Sequence, residues 1–180
     1  VLVALDEQVG LGRHRGALWF QPGAGDVVLA PDGAEDRVVV IRRQGRKRSL
    51  DDIEHRLLRP VFREPRVHFG VNCASVGCPM LREEAYVGAR LAAQLEDQAR
   101  RFLSDRKRNR YNERSGRLEV SRIFDWFAED FEPRARYFAP YASLLADSPP
   151  ARQKIVEGAA PFAFLDYDWT LNDSRSSSRR

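Results

Sequence analysis

The sequence predicts an α+β domain, with one small mixed sheet and several packed helices. Three observations point there. Residues 37–42 (RVVVIR) are β-branched enough for a strand, residues 87–104 carry apolar side chains at helical spacing, and strand-like and helix-like segments mix without a regular βαβ rhythm. With 180 residues, 43% of them hydrophobic, the chain can bury one sizeable core as a single domain. We divide it into a largely irregular part at 1–36, a core domain at 37–172 and a disordered Ser/Arg tail at 173–180.

Within 1–36, residues 1–9 have mixed helical character. Gly10, Gly12, Gly16, Pro22, Gly23, Gly25, Pro31 and Gly33 then interrupt regular structure, leaving room for one short strand near 26–30. After the 37–42 strand, Gly45 is placed in a turn. Ser49 opens SLDDIEHRLLR, with a cap residue, two acids in the first turn and basic residues at the end, matched to the helix dipole. Leu50, Ile53, Leu57 and Leu58 share one arc of that helix. Glu54 falls inside the arc and His55 at its edge, so Glu54 needs a partner such as Arg66.

Residues 67–73 alternate Val67, Phe69, Val71 and Cys73 against His68, Gly70 and Asn72, which predicts a strand with His68 and Asn72 on one face. A turn follows, with Gly77 and Pro79 in it. Leu91, Leu95, Ala99, Phe102 and Leu103 predict the 87–104 helix. A turn and a short strand (RLEV) are expected within 109–120, a capped aromatic helix at 121–131 stopped by Pro133, a helix near 151–157 and a closing strand in PFAFLDYDWTLN. Phe124, Trp126, Phe127, Phe131, Tyr167 and Trp169 are core candidates, and Asp166 and Asp168, alternating with Tyr167 and Trp169, either line a surface cleft or, as is commoner for such residues, simply face water.

Charge excludes more than it assigns. The net charge is +4, and three Arg against one Asp in 173–180 place +2 of it in the tail. The basic clusters RRQGRKR (42–48) and RKRNR (106–110) lack interleaved aromatics that would stack bases, so they read as solvated faces and nucleic acid is not expected as a partner. No apolar run approaches the roughly 18 residues of a membrane helix. No secretory signal opens the chain. A fragment beginning at Val is expected in the periplasm or outside the cell if it has lost a leader, and in the cytoplasm otherwise. The cysteines, Cys73 and Cys78, fit neither a C-x-x-C redox pair nor a four-ligand zinc pattern.

SLDDIEHRLLR and FREPRVHFGVNCASVGCPMLREEAY together resemble the bacterial branch of the family called domain of unknown function 547. RLAAQLEDQARRFL, LEVSRIFDWFAEDF and FLDYDWTLN resemble its later blocks in the same order, so the likeness spans 49–172. By this resemblance Glu54 and His55 stand for the family's Glu-His pair, and Asn72, Cys73 and Ser75 for its Asn-Cys-x-Ser turn. The resemblance also implies an N-terminally incomplete chain, because an upstream FWINAYNA-like helix is missing. It brings no reaction with it.

Two function classes are carried forward. One is a thiol hydrolase or acyl-transfer enzyme acting on an amide or ester. Cys73 is its nucleophile, His55 or His68 the base, and Glu54 or Asn72 the residue that orients the base. A nearby imidazolium would lower the thiol pKa. Against this, the alternation puts Cys73 on the apolar face, and no histidine follows His68 as one does in papain-like enzymes. The other is a non-catalytic binding or scaffold domain that presents the 72–81 turn, with Ser75 and Cys78 as binding residues, to an unknown substrate or protein partner. No metal or cofactor is expected, since the Glu-His order lacks the second histidine of a zincin helix.

Overall fold

The computed structural model describes residues 11–14, 17–20, 27–28, 40–43, 46–49, 55–56, 59–72, 75–84, 86–170 and 172; for 11–49 and for 61–62 it describes the backbone alone. The chain divides into two compact units, residues 3–64 with 82–91 and residues 65–81 with 92–180.

The first unit is built from strands. β1 (Leu11–His14) and β2 (Ala17–Phe20) pair antiparallel within the segment read as largely irregular. β3 (Val27–Val28), β4 (Val40–Arg43) and β5 (Arg46–Ser49) form an antiparallel meander, with Val27 opposite Ile41 and Arg43 opposite Arg46. Both the short strand near 26–30 and the β-branched strand are therefore found. Most of the helix predicted from Ser49 lies outside the described residues. Ser49 itself ends β5, His55 and Arg56 are in wide-helix (π) conformation, and α1 follows at Arg59–Phe62.

The second unit holds the aromatic core. α2 (Val67–Gly70) is a single helical turn, where alternation had predicted a strand. The physical reason is that His68 and Phe69 are both buried. A strand sends neighbouring side chains to opposite faces, whereas a helical turn lets both enter one interior. The turn is closed by His68 N–H to Pro65 O, Phe69 N–H to Arg66 O and Val71 N–H to Val67 O.

A 3₁₀ turn at Gly88–Arg90 leads into α3 (Leu91–Ser104), which buries Leu95, Ala99, Phe102 and Leu103 as the sequence predicts. Asn109, fully buried, ties the end of α3 to the next layer. Its Nδ2 donates to Phe102 O at 2.8 Å, and its Oδ1 accepts from Ser121 N at 3.2 Å. β6 (Arg110–Asn112) and β7 (Arg117–Val120) make a hairpin that the single predicted strand had missed by half. Gly116 turns it at φ +67, a left-handed conformation that glycine adopts readily.

α4 (Ile123–Trp126) and a 3₁₀ turn (Ala128–Phe131) take the place of one continuous aromatic helix, with Ser121 Oγ accepting from Ile123 N at its start. α5 (Arg134–Phe138), a 3₁₀ turn (Ala139–Tyr141), α6 (Ala142–Leu145) and α7 (Pro149–Val156) follow; Ser148 caps α7 by accepting from Ala151 N. β8 (Phe162–Phe164) pairs parallel to β7, completing a mixed three-stranded sheet in the order β6-β7-β8. The result is the α+β class expected.

Phe124 sits at the centre. Its ring lies 4.7 Å from Phe131, 4.7 Å from Phe138, 5.8 Å from Phe69 and 6.4 Å from Phe102, within the range of favourable tilted aromatic pairs. On one side of this core Arg66 and Tyr141 both donate to Glu96 Oε2, at 3.1 and 3.0 Å.

Burial, and then the hydrogen bond to Glu96, push the Tyr141 hydroxyl from its ordinary 10.0 to about 12. Below pH 10 both the folded and unfolded states keep this proton and the interaction is fully present. Between pH 10 and about 12 the unfolded state ionises first, so stability falls, by on the order of 1–3 kcal/mol. Urea unfolding across that range should show a loss that Tyr141→Phe removes; an equal slope in both proteins would contradict it.

Candidate functional site

The described residues of the turn after α2 are held by hydrogen bonds from several directions. Asn72 Nδ2 donates to Pro79 O at 2.6 Å, closing the turn across its base, and the buried Cys78 thiol lies 3.9 Å from Val71 O. Gln98 on α3 reaches across to donate to Met80 O, and Arg108 donates to Val76 O while pairing with Asp105. The closing segment after β8 clamps the other side. Val76 N–H donates to Thr170 O and Gly77 N–H to Asp168 O, both at 2.8 Å, and Ser75 Oγ donates to the Tyr167 hydroxyl at 3.1 Å.

Gly77 makes that clamp possible. A Cβ there would come within 2.9 Å of the Tyr167 ring, so the aromatic lies flat against bare backbone. The glycine is needed for close approach.

Beside the turn is a cleft of about 560 Å³ within the second unit. Val76 and Gly77 form part of its wall, with Lys107, Ser121, Asp166 and Tyr167 among the others, and Asp168 also lines it. Asp166 and Asp168 therefore occupy the kind of cleft anticipated for them. The 106–110 cluster is more than a solvated face. Arg106 donates to Leu145 O and pairs with Asp147, Arg108 holds the turn, and Arg110 pairs with Glu119. Lys107 is the exposed cation of the cleft.

His68 is located away from any open face. Only 4% exposed, its ring stacks on Phe127 at 4.1 Å, and Nε2 donates to Asp130 Oδ2 at 2.7 Å. The expected polar face shared by His68 and Asn72 does not form, because α2 turns His68 into the core while Asn72 stays at the turn. In the first unit, His55 Nδ1 accepts from Arg59 at 2.9 Å. Glu54 and Cys73, and with them Cys73's relation to Cys78, lie outside the described residues. Among the described residues no three His, Cys, Asp or Glu side chains gather as metal ligands, and no helix is long and apolar enough to cross a membrane.

Sequence reasoning missed Asp130, Gln98 and the role of Tyr167. Asp130 is 62 positions from His68 and 26% exposed, so no local pattern marks it. Tyr167 was visible only as one aromatic in an alternating run.

The architecture is that of a small α+β domain with a clamped turn bordering a polar cleft. Residues 35–103 match the model of the family described as Protein of unknown function, DUF547. The match covers the turn and the block RLAAQLEDQARRFL and ends inside α3; LEVSRIFDWFAEDF and FLDYDWTLN lie beyond it. No curated protein and no solved structure matches the chain.

Gly77→Ala should destabilise the protein by about 1–3 kcal/mol, as overpacking against a ring does. It should also shift the near-ultraviolet circular dichroism through Tyr167. An unchanged spectrum with unchanged stability would mean that the turn is not seated on that ring.

Proposed function

We propose that this is a non-catalytic binding domain whose 72–81 turn forms one wall of a site for a small polar molecule. One observation carries this reading. The described polar side chains of the turn, Asn72 and Ser75, are spent on its shape, while the cleft beside it retains Lys107 and Asp166 as exposed charges. A wall fixed from α3, from Arg108 and from the closing segment is preorganised, which lowers the entropy lost on binding. The cleft's volume of about 560 Å³ falls within the span typical of small-molecule sites. Ligand-observed NMR with a library of small polar compounds tests it, using Val76→Phe as the filled-cleft control. Compounds that bind the parent and are lost on Val76→Phe are expected; a library in which no compound distinguishes the two folded proteins would sink the reading.

One observation favours a second reading. His68 and Asp130 form a base with an orienting carboxylate, the arrangement a thiol hydrolase or acyl-transfer enzyme would need for Cys73. Glu54 and His55 remain the alternative pair for that role. On this reading Cys73 is alkylated by iodoacetamide near neutral pH, and Asp130→Asn slows the labelling about tenfold, as followed by peptide mass spectrometry. A Cys73 that stays unlabelled in the folded protein rejects it.

A further inference from the structure

The polar groups that line the cleft divide into those already committed and those left over. Asp105 pairs with Arg108, whose guanidinium also donates to Val76 O. The Asp168 carboxylate accepts from the Thr170 N–H and hydroxyl, and its carbonyl accepts from Gly77 N–H. The Ser121 hydroxyl accepts from Ile123 N–H, and the Tyr167 hydroxyl accepts from Ser75. The exposed indoles Trp126 and Trp169 pack on Tyr167 outside the lining and take no part. Three side chains remain: Lys107, Asp166 and Asn172. All three are exposed to the cleft, and none forms a side-chain hydrogen bond or ion pair with another described residue.

Lys107 and Asp166 therefore bring opposite charges to one cleft without pairing. An anion placed there gains Lys107 and meets the like charge of Asp166. A cation gains Asp166 and meets Lys107. A molecule that carries both charges compensates the two ends together, and the complementary charges also fix which way round it lies. Val76 and Leu165, both half-buried, give the same cleft an apolar wall that can take a hydrocarbon side chain out of water. The Asn172 amide adds a group that donates and accepts.

We infer that the cleft takes an amino-acid zwitterion with an apolar side chain, its carboxylate on Lys107, its ammonium on Asp166 and its side chain against Val76 and Leu165. This rests on the reading of the cleft as a ligand site and adds the ligand's chemical class.

Ligand-observed NMR of the whole chain with leucine, leucinamide and N-acetylleucine tests it, because the last two keep only the cation or only the anion. Leucine should bind about fivefold more tightly than either, the upper end of what an ion pair open to solvent contributes. It should exceed glycine by about tenfold through its side chain. Lys107→Ala should abolish the preference over leucinamide and leave that over N-acetylleucine; Asp166→Asn should do the reverse. Leucine that binds no better than its singly charged relatives or than glycine would overturn the inference, as would preferences that survive both substitutions. If the polar library yields ligands lost on Val76→Phe while leucine does not bind, the ligand class is wrong and the cleft reading stands. If no ligand of either set depends on Val76, both fall.

Discussion

The second unit depends on one packing constraint, the set of rings that close around Phe124. Phe69 from α2, Phe102 from α3, Phe131 from the 3₁₀ turn after α4 and Phe138 from α5 all meet it. None of these elements is long apart from α3, and four-residue helices have almost no stability of their own. They persist because each brings a large ring to a common centre, where burial supplies what local hydrogen bonding cannot. The same constraint decides α2. Phe69 must enter the cluster and His68 its margin, and only a helical turn admits both.

From this core the site follows in two steps. α3, held in register by Leu95, Ala99, Phe102 and Leu103, carries Gln98 to the turn that begins beyond α2. β7 then orders β8 in parallel, and the chain leaving β8 runs back along Ser75, Val76 and Gly77. The turn is therefore gripped by segments from both ends of the unit. Rigidity at that point reflects connectivity, since the atoms fixing residues 76–80 are supplied mainly by Gln98, Arg108 and residues 167–170. The charged cleft and the exposed indoles lie where the closing segment leaves this grip.

The candidate histidine shows how the same residues support different chemistry before and after folding. Alternation made His68 a partner of Asn72 on a polar face. In the structure it is a core residue whose ring stacks on Phe127 and whose Nε2 is held by Asp130. A histidine that the sequence offered equally as a catalytic base or a satisfied histidine beneath a helix is thus the buried member of a pair whose carboxylate is partly exposed. Asn72, read as a possible orienting group, closes the turn instead by bonding to Pro79 O.

Sequence by itself determined the α+β class, α3 from its apolar spacing, the β4 and β7 strands from their β-branched or alternating residues, and the family resemblance through the turn. These are properties of period and composition, which act over a few residues and leave a local trace. Tertiary structure alone decided that 67–70 is helical, that His68 belongs to Asp130, that Gln98 and Arg108 hold the turn, and that Tyr167 fits against Gly77. Each depends on a partner 18 or more residues away in the chain or on a space left open by a missing side chain. Such contacts form because the aromatic core brings the segments together, and no local periodicity encodes them.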